Sequence, residues 1–307
     1  MLVLLAGRVV HVSPAYLEDA LDRIEQSLLE PSDSFGARVV DTITLSSSGV
    51  TTKRGYALYV EQGRLHYEFA EYHPDDLSSL YRRDINVKPA SKTGADWGRG
   101  STLGETATLY VNATPDPIII GELETYRLLG DAYMRTHRHQ NPYQMLANPC
   151  FAHLGVTPLE VRRTYEVQTV EENDSLRTYV LTKQEEGADI RLELCFSLSH
   201  DDMLVRSVLQ RTFHEGVAFG IAGGTVRRTV RELKELSPID GGRYVPKVFE
   251  YQYFENETLQ MTLTRELSAV VAGGDVDDEL FDVEVQLPRE HYKTIIDQAS
   301  GVMVRRG

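Results

Sequence analysis

The feature that most constrains the fold is a two-residue alternation of apolar and polar side chains that persists through much of the chain. It is cleanest over residues 190–198, where Ile190, Leu192, Leu194 and Phe196 alternate with polar neighbours. Successive side chains of a β-strand point to opposite faces of a sheet, so this pattern is typical of a strand with one buried face. The alternation therefore predicts a sheet whose apolar face needs a cover.

Short polar turns separate the alternating segments. Gly63 lies between two of them, and 171–174, 185–187 and 200–202 are rich in Glu, Asp, Asn and Gly. Strands joined by such short turns are usually antiparallel neighbours. The sequence therefore predicts a mainly β (α+β) fold with one large, curled antiparallel sheet that forms a half-barrel.

Helical spacing replaces the alternation near the start of the chain. Leu17, Leu21, Ile24 and Leu28 recur at intervals of three and four residues, which predicts an amphipathic helix over Tyr16–Leu29. Residues at about 122–155 also lack clean alternation and are interpreted as a helical crossover. We expect a single domain over 1–307, in which the sheet wraps over these two helical segments.

The charge of the chain excludes some partners. A formal net charge of −14 repels phosphate backbones, so we expect no nucleic-acid partner, and it favours a monomer in solution. No apolar run reaches the roughly 20 residues that span a bilayer. Residues Met1–Gly7 allow two interpretations. They are similar to the end of a secretory signal that lacks its basic segment, or they form a short apolar terminus that packs on the body of the protein.

Few residues suggest chemistry. His137 and His139 alternate but lack further metal ligands nearby, and the acidic cluster at 275–279 lacks the spacing of a calcium loop, so we predict no metal and no cofactor. Cys150 and Cys195 are either buried free thiols or a disulfide. Cys150 lies near His153, which is weak support for a nucleophile, and no catalytic residue is assigned.

Arginines concentrate on the later strands. Arg227, Arg228 and Arg231 follow Arg206 and Arg211, which come from the preceding alternating segment. One interpretation is a set of cross-strand ion pairs with the abundant carboxylates. The other is a rim that binds anions.

The order and amino-acid sequence of several segments resemble those of the periplasmic lipoprotein-carrier superfamily of LolA-like, LolB-like and RseB-like half-barrels. The resemblance rests on the opening helix and on short motifs: Gly55-Tyr56-Ala57-Leu58, Gly242–Lys247, Phe281-Asp282-Val283, Leu287-Pro288 and Ile295–Asp297. It implies a concave face that binds acyl chains or peptide-like partners, and a periplasmic or secreted location. The residues themselves leave a cytoplasmic location open.

Three functions are compatible with these patterns. The first is a non-enzymatic protein that binds an acyl chain, a lipid or a lipidated partner in its apolar concavity. Its candidate lining residues are Leu58, Tyr67, Phe69, Leu192, Leu194, Phe196, Phe249, Tyr251 and Tyr253. The second is a protein-interaction or scaffold module of a secreted or envelope complex, using Tyr126, Tyr133 and Tyr143. The third is an enzyme of unknown chemistry.

Overall fold

A computed structural model describes the backbone of thirteen segments of the chain. They are residues 8–9, 15–29, 35–61, 64–71, 97–103, 106–111, 118–122, 146, 148–214, 221–238, 244–272, 294–297 and 302–305. The chain divides into two compact units, which are treated one at a time. The first comprises residues 1–29, 43–50 and 144–264, and the second 30–42, 51–143 and 265–307. A single domain over 1–307 stays a prediction.

Three helices lie in the described part of the chain: α1 (Ala15–Leu29), α2 (Pro149–Ala152) and α3 (Pro158–Thr164). The helix predicted over Tyr16–Leu29 is confirmed by α1. Of the predicted crossover at 122–155, α2 is helical, and most of the remainder lies outside the described residues. Among these described helices, none combines the length and the apolar character needed to cross a membrane.

Strands make up most of the described residues. They are β1 (Arg8–Val9), β2 (Phe35–Leu45), β3 (Thr51–Glu61), β4 (Arg64–Glu71), β5 (Trp97–Leu103), β6 (Thr106–Val111), β7 (Ile118–Glu122), β8 (Glu166–Glu172), β9 (Leu176–Glu185), β10 (Ala188–Ser197), β11 (Met203–Phe213), β12 (Val226–Pro238), β13 (Tyr244–Glu255), β14 (Thr258–Ala272), β15 (Thr294–Asp297) and β16 (Val302–Arg305).

The first unit is built on an open sheet of eight strands in the order β1-β8-β9-β10-β11-β12-β13-β14. From β1 to β13 every neighbouring pair is antiparallel. Asp201 and Asp202 make the predicted turn between β10 and β11 with φ angles of 58° and 54°. The prediction of a mainly β, half-barrel-like antiparallel sheet is confirmed, because the sheet carries helices on one face and does not close.

Helices α1 and α2 cover the apolar face of this sheet. Leu17, Leu21 and Ile24 from α1 are 0–5% exposed, and Phe151 from α2 is 1% exposed. They share one cluster with the alternating residues of β10, including Leu192. We call this face of the sheet the inner face. Burial of each such side chain stabilises the fold by about 1.5–3 kcal/mol, so the helices and the sheet stabilise one another.

The polar side of α1 is attached to α3 through one arginine. The Arg162 guanidinium contacts Glu18 at 3.0 Å, Glu25 at 2.7 Å and Asp22, which are spaced along one side of α1. The hydrogen bond to Glu25 is the largest influence that raises the pKa of Arg162 above its ordinary value. Three carboxylates on one guanidinium fix α1 against α3 more firmly than an isolated surface pair does.

The second unit has its own strand order, β2-β3-β4-β5-β6-β7-β15-β16. Neighbours from β3 to β7 are antiparallel, as are β15 and β16. One pair departs from the predicted up-and-down arrangement, because β15 runs parallel to β7, with Ile296 opposite Ile119. Parallel neighbours need a long connection, and many residues separate these two strands.

A buried ion pair lies in the second unit. Arg265 Nε donates to Asp41 Oδ1 at 2.7 Å and Arg265 Nη2 donates to Asp41 Oδ2 at 2.9 Å, so the guanidinium binds both carboxylate oxygens. The two side chains are 1% and 4% exposed. A charge this well buried is tolerated only when an opposite charge satisfies it, so each residue requires the other.

Candidate functional site

The predicted lining residues fall into three groups. Leu58, Tyr67 and Phe69 lie on β3 and β4, but their side chains lie outside the described part. Leu192, Leu194, Phe196 and Phe249 are at most 1% exposed and belong to the core cluster. Tyr251 and Tyr253 are partly exposed on β13. A ligand that enters without moving the helices therefore meets the tyrosines and not the four core residues.

The cover over the inner face is incomplete towards β12, β13 and β14. Leu233, Tyr251 and Leu263 pack against the core cluster but are only partly buried. We call these three residues the apolar strip. By contrast, Ile190 and Leu192 on β10, under the helices, are 2% and 0% exposed. The apolar strip is therefore where the described inner face still offers apolar surface to a ligand.

Arg231 lies on the same face of β12, two residues before Leu233, and is 3% exposed. Its Nη1 donates to the Thr229 hydroxyl at 2.9 Å, and its guanidinium carbon lies 5.3 Å from the centre of the Tyr251 ring. Among the described residues, its Nε has no hydrogen-bond partner. A buried guanidinium thus adjoins the apolar strip with part of its donor capacity unused.

The electrostatics of Arg231 are unusual for an arginine. Burial is the main cause that lowers the pKa of its guanidinium from 12.5 to about 10, and the positive charge of Arg211 lowers it further. Arg211 is exposed on the neighbouring strand β11. Within the described residues no carboxylate forms an ion pair with Arg231. The inner face therefore contains a buried positive charge without a described counter-charge.

Helix α2 and the turn after it lie over this part of the sheet. Ser207, opposite Arg231 on β11, donates to the Cys150 carbonyl at 2.6 Å and joins α2 to the sheet. The His153 ring stacks on Phe249 with centroids 5.3 Å apart and is 6.4 Å from Tyr251. The surroundings of Arg231 are thus aromatic, hydroxyl-bearing and largely shielded from water.

Both cysteines are free and buried, so the first of the two interpretations of the pair is confirmed. Burial is the main cause that raises the pKa of the Cys150 thiol, and it also raises the pKa of Cys195. The thiolate is the reactive form of cysteine, so burial suppresses the nucleophilic chemistry suggested by the spacing of Cys150 and His153.

The arginine group divides between the two interpretations. Arg227 pairs across the strands with Glu255 at 3.0 Å, as the ion-pair interpretation predicts. Arg228, on the opposite face, lies 4.6 Å from the centre of the Phe254 ring. Arg231 alone of these three is buried. The sequence analysis treated the three arginines as one group. The alternation along β12 nevertheless predicts that Arg231 shares the inner face with Leu233, and this pattern could have distinguished it from Arg228.

Other predicted features lie outside the described residues: His137, His139, the acidic cluster at 275–279, Tyr126, Tyr133 and Tyr143. Within the part of the chain that is described, no three His, Cys, Asp or Glu side chains lie close enough together to hold a metal ion.

Comparison with known proteins finds similarity only among solved structures. No protein-family model matches the chain, and no curated protein matches it. A DUF1329 family protein from Desulfovibrio piger is 11% identical, with a TM-score of 0.44 over 89% of this chain and 98% of its own. A putative outer membrane lipoprotein-sorting protein domain from Vibrio parahaemolyticus is 10% identical, with a TM-score of 0.43 over 88% and 97%.

A LolA superfamily protein from Nitrosomonas europaea is 12% identical, with a TM-score of 0.42 over 87% of this chain and 98% of its own. One of the solved structures that this chain is similar to is therefore described as a member of the LolA superfamily, which is also the superfamily that the sequence motifs resemble.

Proposed function

We propose that this chain is a non-enzymatic binding protein that takes an acyl chain, a lipid or a lipidated partner against the inner face of its first unit. The observation that carries the proposal is the partial exposure of Leu233, Tyr251 and Leu263 beside a fully buried core. Apolar surface that continues a core but lacks a full cover is suited to an apolar ligand.

The energetics favour an alkyl chain laid along this strip. Covering roughly 200 Å² of apolar surface, counted on ligand and protein together, contributes about 5 kcal/mol at 25 cal/mol per Å². Part of that gain is lost to immobilising the ligand, so we expect a dissociation constant in the high micromolar to millimolar range for a simple acyl chain. Tyr251 contributes both a ring for the alkyl chain and a hydroxyl for polar ligand atoms.

A fluorescent acyl probe tests the proposal by titration and by displacement with unlabelled fatty acid. Leu233→Gln places a polar group in the apolar strip, and we expect it to weaken binding of the probe about tenfold. Val230→Gln is the matched control, because Val230 lies on the same strand, is also partly buried and faces the other side of the sheet. It should leave the affinity unchanged.

The result that would overturn the proposal is the absence of saturable probe binding by folded wild-type protein. Equal weakening by the Leu233 and Val230 variants would show that binding, if present, lies elsewhere. A periplasmic or secreted location and a monomeric state belong to the same proposal. Cell fractionation tests the location, and light scattering of the purified protein tests the oligomeric state.

A further inference from the structure

We propose that Arg231 binds the anionic group of an amphipathic ligand, a carboxylate or a phosphate, whose alkyl chain lies on the apolar strip. The alkyl part of this inference rests on the proposed function. The anion part rests on Arg231 itself and can be tested without an alkyl chain.

Without an anion, Arg231 carries a buried and poorly hydrated positive charge. A guanidinium that is 3% exposed has lost most of its hydration, and the lowered pKa of Arg231 reflects that loss. Buried charges in proteins are normally paired with opposite charges. Arg265 in the second unit follows this rule with Asp41, whereas no described carboxylate serves Arg231. An incoming anion would therefore restore part of the favourable interaction that the guanidinium lost when folding removed its water.

The guanidinium of Arg231 also has a hydrogen-bond geometry suited to anions. It carries five N–H groups in a planar fork that matches carboxylate and phosphate oxygens. Thr229 accepts from Nη1, and Nε–H has no partner within the part of the chain that the structure describes. Nε–H is buried, so a ligand oxygen reaches it only when the side chains around Arg231 move, and the charge-assisted bond that the oxygen then accepts is roughly twice as strong as a neutral one.

Arg231 lies beside the apolar strip. Arg231 and Leu233 are alternate residues on one face of β12, so their backbones lie about 7 Å apart. The Tyr251 ring contacts the guanidinium and also belongs to the strip. A single-chain ligand can therefore place its charged end at Arg231 and its first methylenes at Leu233. The exposed charge of Arg211 adds positive potential on the same face.

Three ligands of equal chain length distinguish the charge from the chain: dodecanoate, dodecyl phosphate and neutral dodecanol, each titrated below its aggregation limit. Wild-type protein should bind the two anions at least about tenfold more tightly than dodecanol. Arg231→Gln should remove this preference while its affinity for dodecanol stays the same. Arg228→Gln, the matched arginine on the opposite face of β12, should keep the preference.

Two further measurements keep the outcomes separate. Arg231→Lys retains the charge without the planar fork and should show an intermediate preference, which also serves if the glutamine variant does not fold. Inorganic phosphate should raise the melting temperature of wild type but not of Arg231→Gln, which identifies a free anion as a ligand in its own right.

If none of the three alkyl ligands binds but phosphate raises the melting temperature in a way that depends on Arg231, the proposed function is wrong and the anion site is supported. Equal affinity of wild type for dodecanoate and dodecanol overturns the anion site and leaves the proposed function standing. Absence of both alkyl binding and any phosphate effect overturns both.

Discussion

Replacing Arg231 with methionine should make the unliganded protein more stable. Most substitutions of buried residues destabilise a fold, so the expected sign is opposite to the usual one. It follows from the burial of the guanidinium at 3% exposure without a described carboxylate. Methionine has a similar length, no charge and enough flexibility to fill the same space.

The magnitude follows from the pKa of Arg231. A fall from 12.5 to about 10 corresponds to about 3 kcal/mol against the charged form in the folded state. At pH 7 the guanidinium is charged in both the folded and the unfolded chain, so the full cost applies, and it declines only as pH rises through 10. Losing the hydrogen bond to Thr229 costs about 1 kcal/mol. The net expected gain is about 2 kcal/mol.

Thermal and urea unfolding at pH 7, with phosphate and carboxylate buffers excluded, measure this difference. A gain of about 2 kcal/mol should raise the melting temperature by about 3–5 °C in a chain of this size. Arg228→Met is the control, because that guanidinium lies on a ring at the opposite face, and we expect no gain. Saturating dodecanoate should stabilise wild type more than Arg231→Met.

A loss of about 1 kcal/mol or more in Arg231→Met, without ligand, would refute the reasoning. It would mean that the folded chain satisfies the charge of Arg231 by itself, and the case for an anionic ligand would lose its main support.

The remaining predictions concern the ion pairs and the thiols. Asp41→Asn should destabilise the protein by about 3–5 kcal/mol in urea unfolding, because it removes the charge that Arg265 contacts at 2.7 Å. Adding Arg265→Met should recover most of that loss, and no recovery would contradict the pairing. Arg162→Met should cost about 1 kcal/mol, and 1 M NaCl should reduce this loss; a loss unaffected by salt would mean that packing, not charge, joins α1 to α3. At pH 8 Ellman's reagent should label neither Cys150 nor Cys195 in native protein but both after denaturation; rapid labelling of the native protein would contradict their burial.

The fold was largely encoded in local patterns. Alternation from Ile190 to Phe196 and the turn at Asp201 predicted β10 and its antiparallel neighbour, and the spacing of Leu17 and Leu21 predicted α1. These signals suffice because side-chain period and turn chemistry act over a few residues. The parallel pairing of β15 with β7 had no such signal, since no local turn connects the two strands.

The candidate site was predicted only in part. Alternation assigned Leu192 and Tyr251 to the same face, but it carries no information about which of them a helix covers. Burial of the first and partial exposure of the second depend on where α1 and α2 pack, which is a tertiary property. The inward position of Arg231 could be read from its neighbours Thr229 and Leu233, whereas the lack of a described carboxylate partner could not.

The parallel contact of β7 with β15 has a consequence for biosynthesis. As the ribosome delivers the chain from its amino end, β7 appears long before the segment that completes its ladder, with Ile119 opposite Ile296. Until then one edge of β7 presents unsatisfied amides and carbonyls, which are templates for wrong strand addition. The ladder of β7 can therefore be completed only after residues 294–297 have been synthesised.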